Sequence, residues 1–292
     1  MSRIAAFVRL GRPLFLGGGF VLYALGAAIA RAGGHAIDWR RYVLGQGAVT
    51  AFQLMVHYAN DYFDLEADRA NRTPTKWSGG SRVLPAGELP PKVALYAAVV
   101  LAAIGAVLAV VLGGHALATL ALIFVLAWSY SAPPLRLCAS GLGELDTALV
   151  VTVLVPYLGF SLQGGTDLGV LALTIVPPAL LQMAMLVAIE FPDAAGDAAT
   201  GKRTLVVRLG APAAARLYVA STALAFAWPP LAHALGLPGV VSLAMVVPAP
   251  VALWRIARVR EHAEPAAFER LTFFAVFLLV STSACALLAW MV

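Results

Sequence analysis

Apolar residues in this chain come in long runs broken by short polar or Gly/Pro-containing turns. Nine runs stand out, at about 13–31, 42–60, 92–112, 115–131, 143–163, 168–190, 213–234, 237–255 and 271–291. A helix rises about 1.5 Å per residue, so about 20 apolar residues cross about 30 Å of hydrocarbon. The pattern predicts an all-α fold, a polytopic membrane bundle of nine transmembrane helices forming one domain over residues 1–292. The breaks at Gly113-Gly114, Gly164-Gly165 and Leu237-Pro238 are so short that the flanking runs should form helical hairpins. Arg3, Arg9 and Arg12 precede the first run, which ends in Ala28-Ile29-Ala30, a pattern like a signal-peptidase site. The run exceeds the usual length of a signal core and further spans follow, so it reads as a retained first helix.

Composition sharpens the class. Of 292 residues, 61% are hydrophobic and 12% charged, against about 45–50% and about 25% in soluble domains. That excludes a disordered chain and argues against a water-soluble enzyme. The net charge of +5 reads as a positive cytoplasmic face, and no nucleic acid partner is expected. With the N-terminus cytoplasmic, 17 of the 20 Lys and Arg lie inside, and only Arg31, Arg40 and Arg41 fall outside. Thirteen of the 15 acidic residues also lie inside, all but Asp38 and Asp167, which orientation does not require. The long inside connections, about 61–91 and 191–212, therefore read as a polar cap over a site. Cys138 and Cys285 are far apart in apolar sequence, which excludes a disulfide framework and a Cys-based metal site.

Two acidic constellations mark that site. Asn60, Asp64 and Asp68 follow the second run at i, i+4, i+8 and share one stripe of a continuing helix, with Asp61 beside it. Glu190, Asp193 and Asp197 end the sixth run at i, i+3, i+7, again on one face. An Asp at the centre of a membrane helix costs about 2.5–3.5 kcal/mol, and crowded carboxylates repel. Mg2+ suits such a place, because it binds a few carboxylates together with phosphate oxygens and water. Arg69, Arg72, Lys76, Arg82, Lys202 and Arg203 lie nearby in sequence and suit the remaining charge of a phosphate. These residues together describe a diphosphate site. At the edge of an apolar bundle, the substrate it suggests is a polyprenyl diphosphate.

The ordered set resembles the UbiA superfamily of intramembrane prenyltransferases. Asn60-Asp61-x-x-Asp64-x-x-x-Asp68 and Asp193-x-x-x-Asp197 are similar to its two signature motifs. Arg12-Pro13, Tyr130-Ser131-Ala132-Pro133-Pro134-Leu135-Arg136 and the stretch Gly201-Lys202-Arg203-Thr204-Leu205 resemble further family segments, so the likeness covers almost the whole chain. The resemblance implies nine helices around a central cavity, two Mg2+ ions and prenyl transfer. It places one Mg2+ on Asn60, Asp64 and Asp68 and the other on Asp193 and Asp197, with Asp61 either a ligand or a neighbour of one. It makes Asp64 and Asp193 central to catalysis. Arg12, Arg136, Lys202 and Arg203 are candidates for diphosphate oxygens, and Tyr130 for the carbocation or a phosphate oxygen. His57 reads first as a packed, hydrogen-bonded histidine, with acceptance of an acceptor proton the alternative, and Glu144 and Asp146 as helix-start charges, with orientation of an acceptor the alternative.

Gly79-Gly80-Ser81-Arg82-Val83-Leu84 and Gly141-Leu142-Gly143-Glu144-Leu145 are most similar to the 1,4-dihydroxy-2-naphthoate prenyltransferases of menaquinone synthesis. Two features depart from that branch: Asp64 and Asp68 are four apart, as in the 4-hydroxybenzoate branch, and Glu190 and Pro192 enter the second motif. The expected function is transfer of a polyprenyl group to an aromatic acceptor, a quinone precursor with dihydroxynaphthoate the first choice, at the cytoplasmic side of the plasma membrane. The alternatives are another acceptor, terpene cyclisation at the same site, and a transporter of an anionic lipid or metabolite.

Overall fold

The structure, a computed structural model, describes residues 2–292. Among these residues there is no β-strand. The α-helices in chain order are α1 (Arg3–Leu10), α2 (Leu16–Ala32), α3 (Trp39–Phe63), α4 (Leu65–Ala70), α5 (Pro91–Leu112), α6 (Gly114–Ser131) and α7 (Gly143–Leu149). They continue with α8 (Val155–Leu162), α9 (Leu168–Ala199), α10 (Leu205–Leu209), α11 (Ala211–Ala234), α12 (Gly239–Val246), α13 (Ala249–Ala257) and α14 (Phe268–Met291). A π-helical turn, Val150–Leu154, joins α7 to α8. Local chemistry sets several starts: Asp38 caps α3 by accepting from Arg41 N, Asp167 caps α9 by accepting from Val170 N, and Pro91 opens α5.

Seven helical segments are long and apolar enough to cross a membrane: Arg3–Ala32, Pro91–Leu112, Gly114–Ser131, Gly143–Leu162, Leu168–Ala199, Gly239–Ala257 and Pro265–Met291. Two more, α3 with 25 residues and α11 with 24, have the length but not the hydropathy. The reason is visible in α3, which carries Gln46, Gln53, His57 and Asn60. Of these, Gln53, His57 and Asn60 line an internal cavity, and a helix facing a polar site does not need to be apolar all round. By contrast, α5 exposes Val99, Val100, Ile104, Val107, Val110 and Val111. So continuous an apolar surface belongs against lipid, not water.

Buried side chains form two cores. One draws on α2, α3, α5, α6 and α8, the other on α9, α11 and α14. Helices α2 and α8 meet backbone to backbone. A Cβ on Gly26 would sit 1.9 Å from the Pro156 carbonyl oxygen, and one on Gly159 would sit 2.2 Å from that of Tyr23. Small residues are what permit such an approach between membrane helices.

Both acidic stripes survive folding. Asp64 breaks α3 from α4, yet its N–H bonds the Asn60 carbonyl at 2.8 Å and the Asp68 N–H bonds its own carbonyl at 2.9 Å, so the i+4 register continues. Pro192 lies within the second motif, where a proline could break the helix. Instead α9 runs through Pro177, Pro178 and Pro192 to Ala199. The expected cap loop 191–212 is thus largely helix: its first part is the end of α9, and α10 fills Leu205–Leu209.

Candidate active site

One cavity runs between the two cores, lined by α2, α3, α6, α7, α9 and α14. Along α9 its wall extends from Gln182 to Asp197, about 22 Å of helix rise. Leu22, Val49, Phe52, Ile123, Met185 and Leu279 make its depth apolar. Asn60, Asp64, Asp68, Asp193, Asp197, Arg12 and Lys202 gather at its polar part.

The two motifs are tied directly to each other. Lys202 Nζ donates to Asp64 Oδ2 at 2.8 Å and lies 3.6 Å from Asp197 Oδ1. Asn60 Nδ2 donates to the same Asp64 oxygen at 2.7 Å and to Ser131 Oγ at 3.0 Å. Burial alone would lower the Lys202 pKa, but Asp64 and then Asp197 hold its proton well above the usual lysine range. Asp68 goes the other way. Burial, and then the charges of Asp61, Asp64 and Asp193, push its pKa up to about 8.

The segment between α4 and α5 folds down as the cap. Asn71 Nδ2 donates to Asp193 Oδ1 at 2.7 Å, and the Gly79 N–H donates to Asp193 Oδ2 at 3.0 Å. The Ser81 N–H and hydroxyl both donate to Asp61, and Arg82 donates to the Asp68 carbonyl. At Gly80, φ is +70° and a Cβ would lie 2.1 Å from Asp68 Oδ2. Only glycine fits there. The loop after α9 is docked by two glutamates: Glu144 Oε1 accepts from Leu205 N and Glu190 Oε2 from Val206 N, both at 3.1 Å. The tether keeps the neighbouring Lys202 facing the acidic stripes.

Whether the carboxylates suit a metal can be judged from their free valences. Asp64 Oδ1 and Asp68 Oδ2 are buried without a hydrogen-bond partner, which leaves lone pairs for a cation. Among the described residues no three Asp, Glu, His or Cys side chains form a ready-made metal cage. Mg2+ does not need one, since it takes one or two carboxylates and completes its shell with phosphate oxygens and water. The residues therefore fit Mg2+ held jointly with a diphosphate.

The expected residues divide by position. Asn60, Asp64, Asp68, Asp193, Asp197, Arg12, Lys202 and Tyr130 line the cavity together. Arg12 Nη2 donates to the Trp77 carbonyl at 3.1 Å, and its guanidinium lies 4.6 Å from the Phe15 ring centre. Asp61 is buried, bonded to Ser81 and off the cavity wall, so it anchors the cap. Arg136 and Arg203 are exposed and do not line the cavity. Their place in the sequence segments suggested proximity, but the chain turns their side chains outward. His57 bonds the Gly11 carbonyl at 2.8 Å through Nδ1, as a packed histidine, while also lining the cavity. Glu144 and Asp146 stand in the first turn of α7, and both are buried there. Nothing in the sequence singled out Asn71, Ser131 or Gln182, whose roles depend on which distant helix each meets. Cys138 is buried. Its thiol lines the cavity 3.9 Å from Asp64 Oδ2, with its pKa pushed up to about 12 by burial and then by Asp64.

A helical bundle that joins an apolar channel to two facing acidic stripes defines an intramembrane enzyme acting on diphosphate esters. Residues 20–290 match the model of the UbiA prenyltransferase family, and the chain belongs to that family. It is a prenyltransferase, which removes the transporter reading. A digeranylgeranylglyceryl phosphate synthase from Pyrococcus abyssi (strain GE5 / Orsay) is 33% identical over 156 residues, 52% of this chain and 50% of that protein. This chain thus matches about half the length of that relative. A protein of the same name from Natronomonas pharaonis is 32% identical over 204 residues, covering 67% of this chain and 68% of its own. Among solved structures, the apo form of a UbiA homolog from Aeropyrum pernix K1 superposes with a TM-score of 0.71 at 18% identity, over 94% of this chain and 97% of that one. A UbiA homolog from Archaeoglobus fulgidus bound to GPP and Mg2+ gives 0.65 at 15% identity, over 96% and 99%. At that identity the likeness is one of fold. Both of these relatives carry the name digeranylgeranylglyceryl phosphate synthase, and neither carries that of the dihydroxynaphthoate branch the glycine-rich segments resembled. In the first of the glycine-rich segments, Gly80 answers to the close approach of Asp68.

Proposed function

We propose that this protein transfers a polyprenyl group from its diphosphate to a hydroxyl of a glycerol-based phospholipid precursor, forming an ether within the membrane. The observation that carries the proposal is a cavity with paired acidic stripes and Lys202 at one part and mostly apolar walls in the rest. The Archaeoglobus homolog bound to GPP and Mg2+ supports the donor. The Pyrococcus and Natronomonas relatives support the acceptor, because the compound in their name carries two geranylgeranyl groups on a glyceryl phosphate. All nine long helical segments would span the bilayer, with the acidic stripes on the cytoplasmic side, where the basic residues concentrate.

In this reading Asn60, Asp64 and Asp68 hold one Mg2+ and Asp193 and Asp197 another. Bound there, the ions supply charge neutralisation of the leaving diphosphate. Lys202 and Arg12 meet its remaining oxygens. The apolar walls hold the tail and exclude water, which would otherwise capture the allylic cation. Tyr130 borders the polar part and presents a ring face to that cation.

The test is to incubate purified protein with geranylgeranyl diphosphate and, in separate reactions, geranylgeranylglyceryl phosphate, dihydroxynaphthoate and 4-hydroxybenzoate, reading products by mass spectrometry. The diether is expected with the glyceryl phosphate, with loss of turnover in EDTA and recovery on adding Mg2+. An aromatic product in place of the diether would overturn the acceptor assignment.

A further inference from the structure

A prenyl tail forms no hydrogen bonds, yet besides Asp64 and Asp68 three side chains in the cavity wall have unmet bonding capacity: Trp77, whose Nε1 donates, and Asp146 and Gln182, whose oxygens accept. Asp146 on α7 is 6% exposed and its Oδ1 has no partner. Gln182 on α9 is 4% exposed and its Oε1 has none either. Leaving such groups unpaired costs about 1–3 kcal/mol each. The donor does not explain them, for neither is among the carboxylates and cations assigned to the diphosphate. The orphaned atoms of Asp146 and Gln182 are oxygens that accept, so what completes them is a ligand that donates. Arg12 and Lys202 are the Arg and Lys side chains on the cavity wall, and both are assigned above to the diphosphate. The part of a ligand that reaches Asp146 therefore has no cation left to offset a negative charge and carries none. An alcohol O–H meets both conditions. The wall also turns π-helical within a turn of Asp146, over Val150–Leu154, and Val150, Val151 and Val155 face the cavity. Such turns are frequent at functional sites.

Resting on the proposed hydroxyl acceptor, we propose that Asp146 and Gln182 form the acceptor subsite, with Asp146 taking the hydroxyl proton. The acceptor oxygen forms a bond to prenyl C1 as the C1–O bond to diphosphate breaks, and that electron pair leaves with the diphosphate. The hydroxyl proton passes to the Asp146 carboxylate, which later returns it to water. Gln182 holds the acceptor by accepting from a second donor group.

The experiment compares wild type, Asp146→Asn, Asp146→Glu and Gln182→Leu, measuring both ether product and prenyl alcohol released by donor hydrolysis. Asp146→Asn should lower ether-forming kcat by about 100-fold, within the usual range for a lost general base. Its donor KM and prenyl-alcohol release should stay within about threefold of wild type. Asp146→Glu should recover part of the ether activity. Gln182→Leu should raise acceptor KM about tenfold, the weight of one hydrogen bond, and leave donor KM unchanged. Ether formation by Asp146→Asn near the wild-type rate overturns the proposal and leaves the proposed function standing. Equal loss of ether and alcohol in that variant also overturns it, as a structural role would produce. Failure of the wild type to join any alcohol to the donor overturns both, and is seen without any variant.

Discussion

Lys202 and Asp64 stand 138 positions apart in the chain, and their side chains meet at 2.8 Å. The contact joins the loop that follows the second acidic motif to the first, and Asp197 lies on the same ammonium. Lys202→Met would leave these buried carboxylates without their cation. Donor KM should rise at least about tenfold, since charge-assisted bonds to such groups contribute about 1.5–3 kcal/mol. Steady-state kinetics at saturating Mg2+ checks this, and an unchanged donor KM would contradict the role given to Lys202.

Gly80 supplies a second test. Its φ of +70° and the 2.1 Å approach of a Cβ to Asp68 Oδ2 leave no room for a side chain. Gly80→Ala should displace Asp68 and lower activity by about 10- to 100-fold, the usual effect of disturbing the support of a metal ligand. Because Gly80 abuts Asp68 and not a residue of the apolar cores, elution of the detergent-solubilised protein as a single species should persist. The same substitution at Gly87, which has open space around it, should be far milder for activity.

Placement separates the arginines. Arg12 lines the cavity, whereas Arg136 and Arg203 are exposed away from it. Arg12→Ala should raise donor KM by about tenfold or more, the value of a charged hydrogen bond. Arg136→Ala and Arg203→Ala should change it by less than about threefold, as surface charges do. A large donor KM effect at Arg136 or Arg203 would restore the reading from sequence position.

Arg255, at the end of α13, is fully buried, and Glu261 Oε2 accepts from its Nη1 at 2.7 Å. Arg270 donates to the same carboxylate at 2.9 Å. Burial by itself would raise the Glu261 pKa, but these two arginines hold it below its ordinary value. Its contribution to stability is therefore present above the unfolded-state pKa and disappears as pH falls through the lower folded-state value. Glu261→Gln should lower Tm at neutral pH, and the gap to wild type should narrow on acidification below about pH 4.3, the ordinary glutamate value. Thermal melts in detergent across that range provide the check; a gap independent of pH would show that the charge does not matter.

Much of the architecture could be read along the chain because hydropathy is a local property. A run of about 20 apolar residues announces a helix wherever it lies, and the i+4 spacing of Asn60, Asp64 and Asp68 places them on one stripe before any neighbour is known. Those features predicted the helical bundle, the acidic stripes and the family. Where two helices face each other is not local. That Lys202 turns inward while adjacent Arg203 turns outward depends on how Glu144 and Glu190 pin the following loop. That Asp146 is a buried wall residue depends on what packs over α7. The glycine-rich segment at 79–84 has a local reason of its own, because Gly80 answers to backbone geometry beside Asp68. Sequence by itself determined the helices and the metal-suited stripes, since both follow from spacing along one element. Tertiary structure alone decided which charges share the cavity and which polar groups are left unpaired in it, because burial and partnership are set by residues far away in the chain.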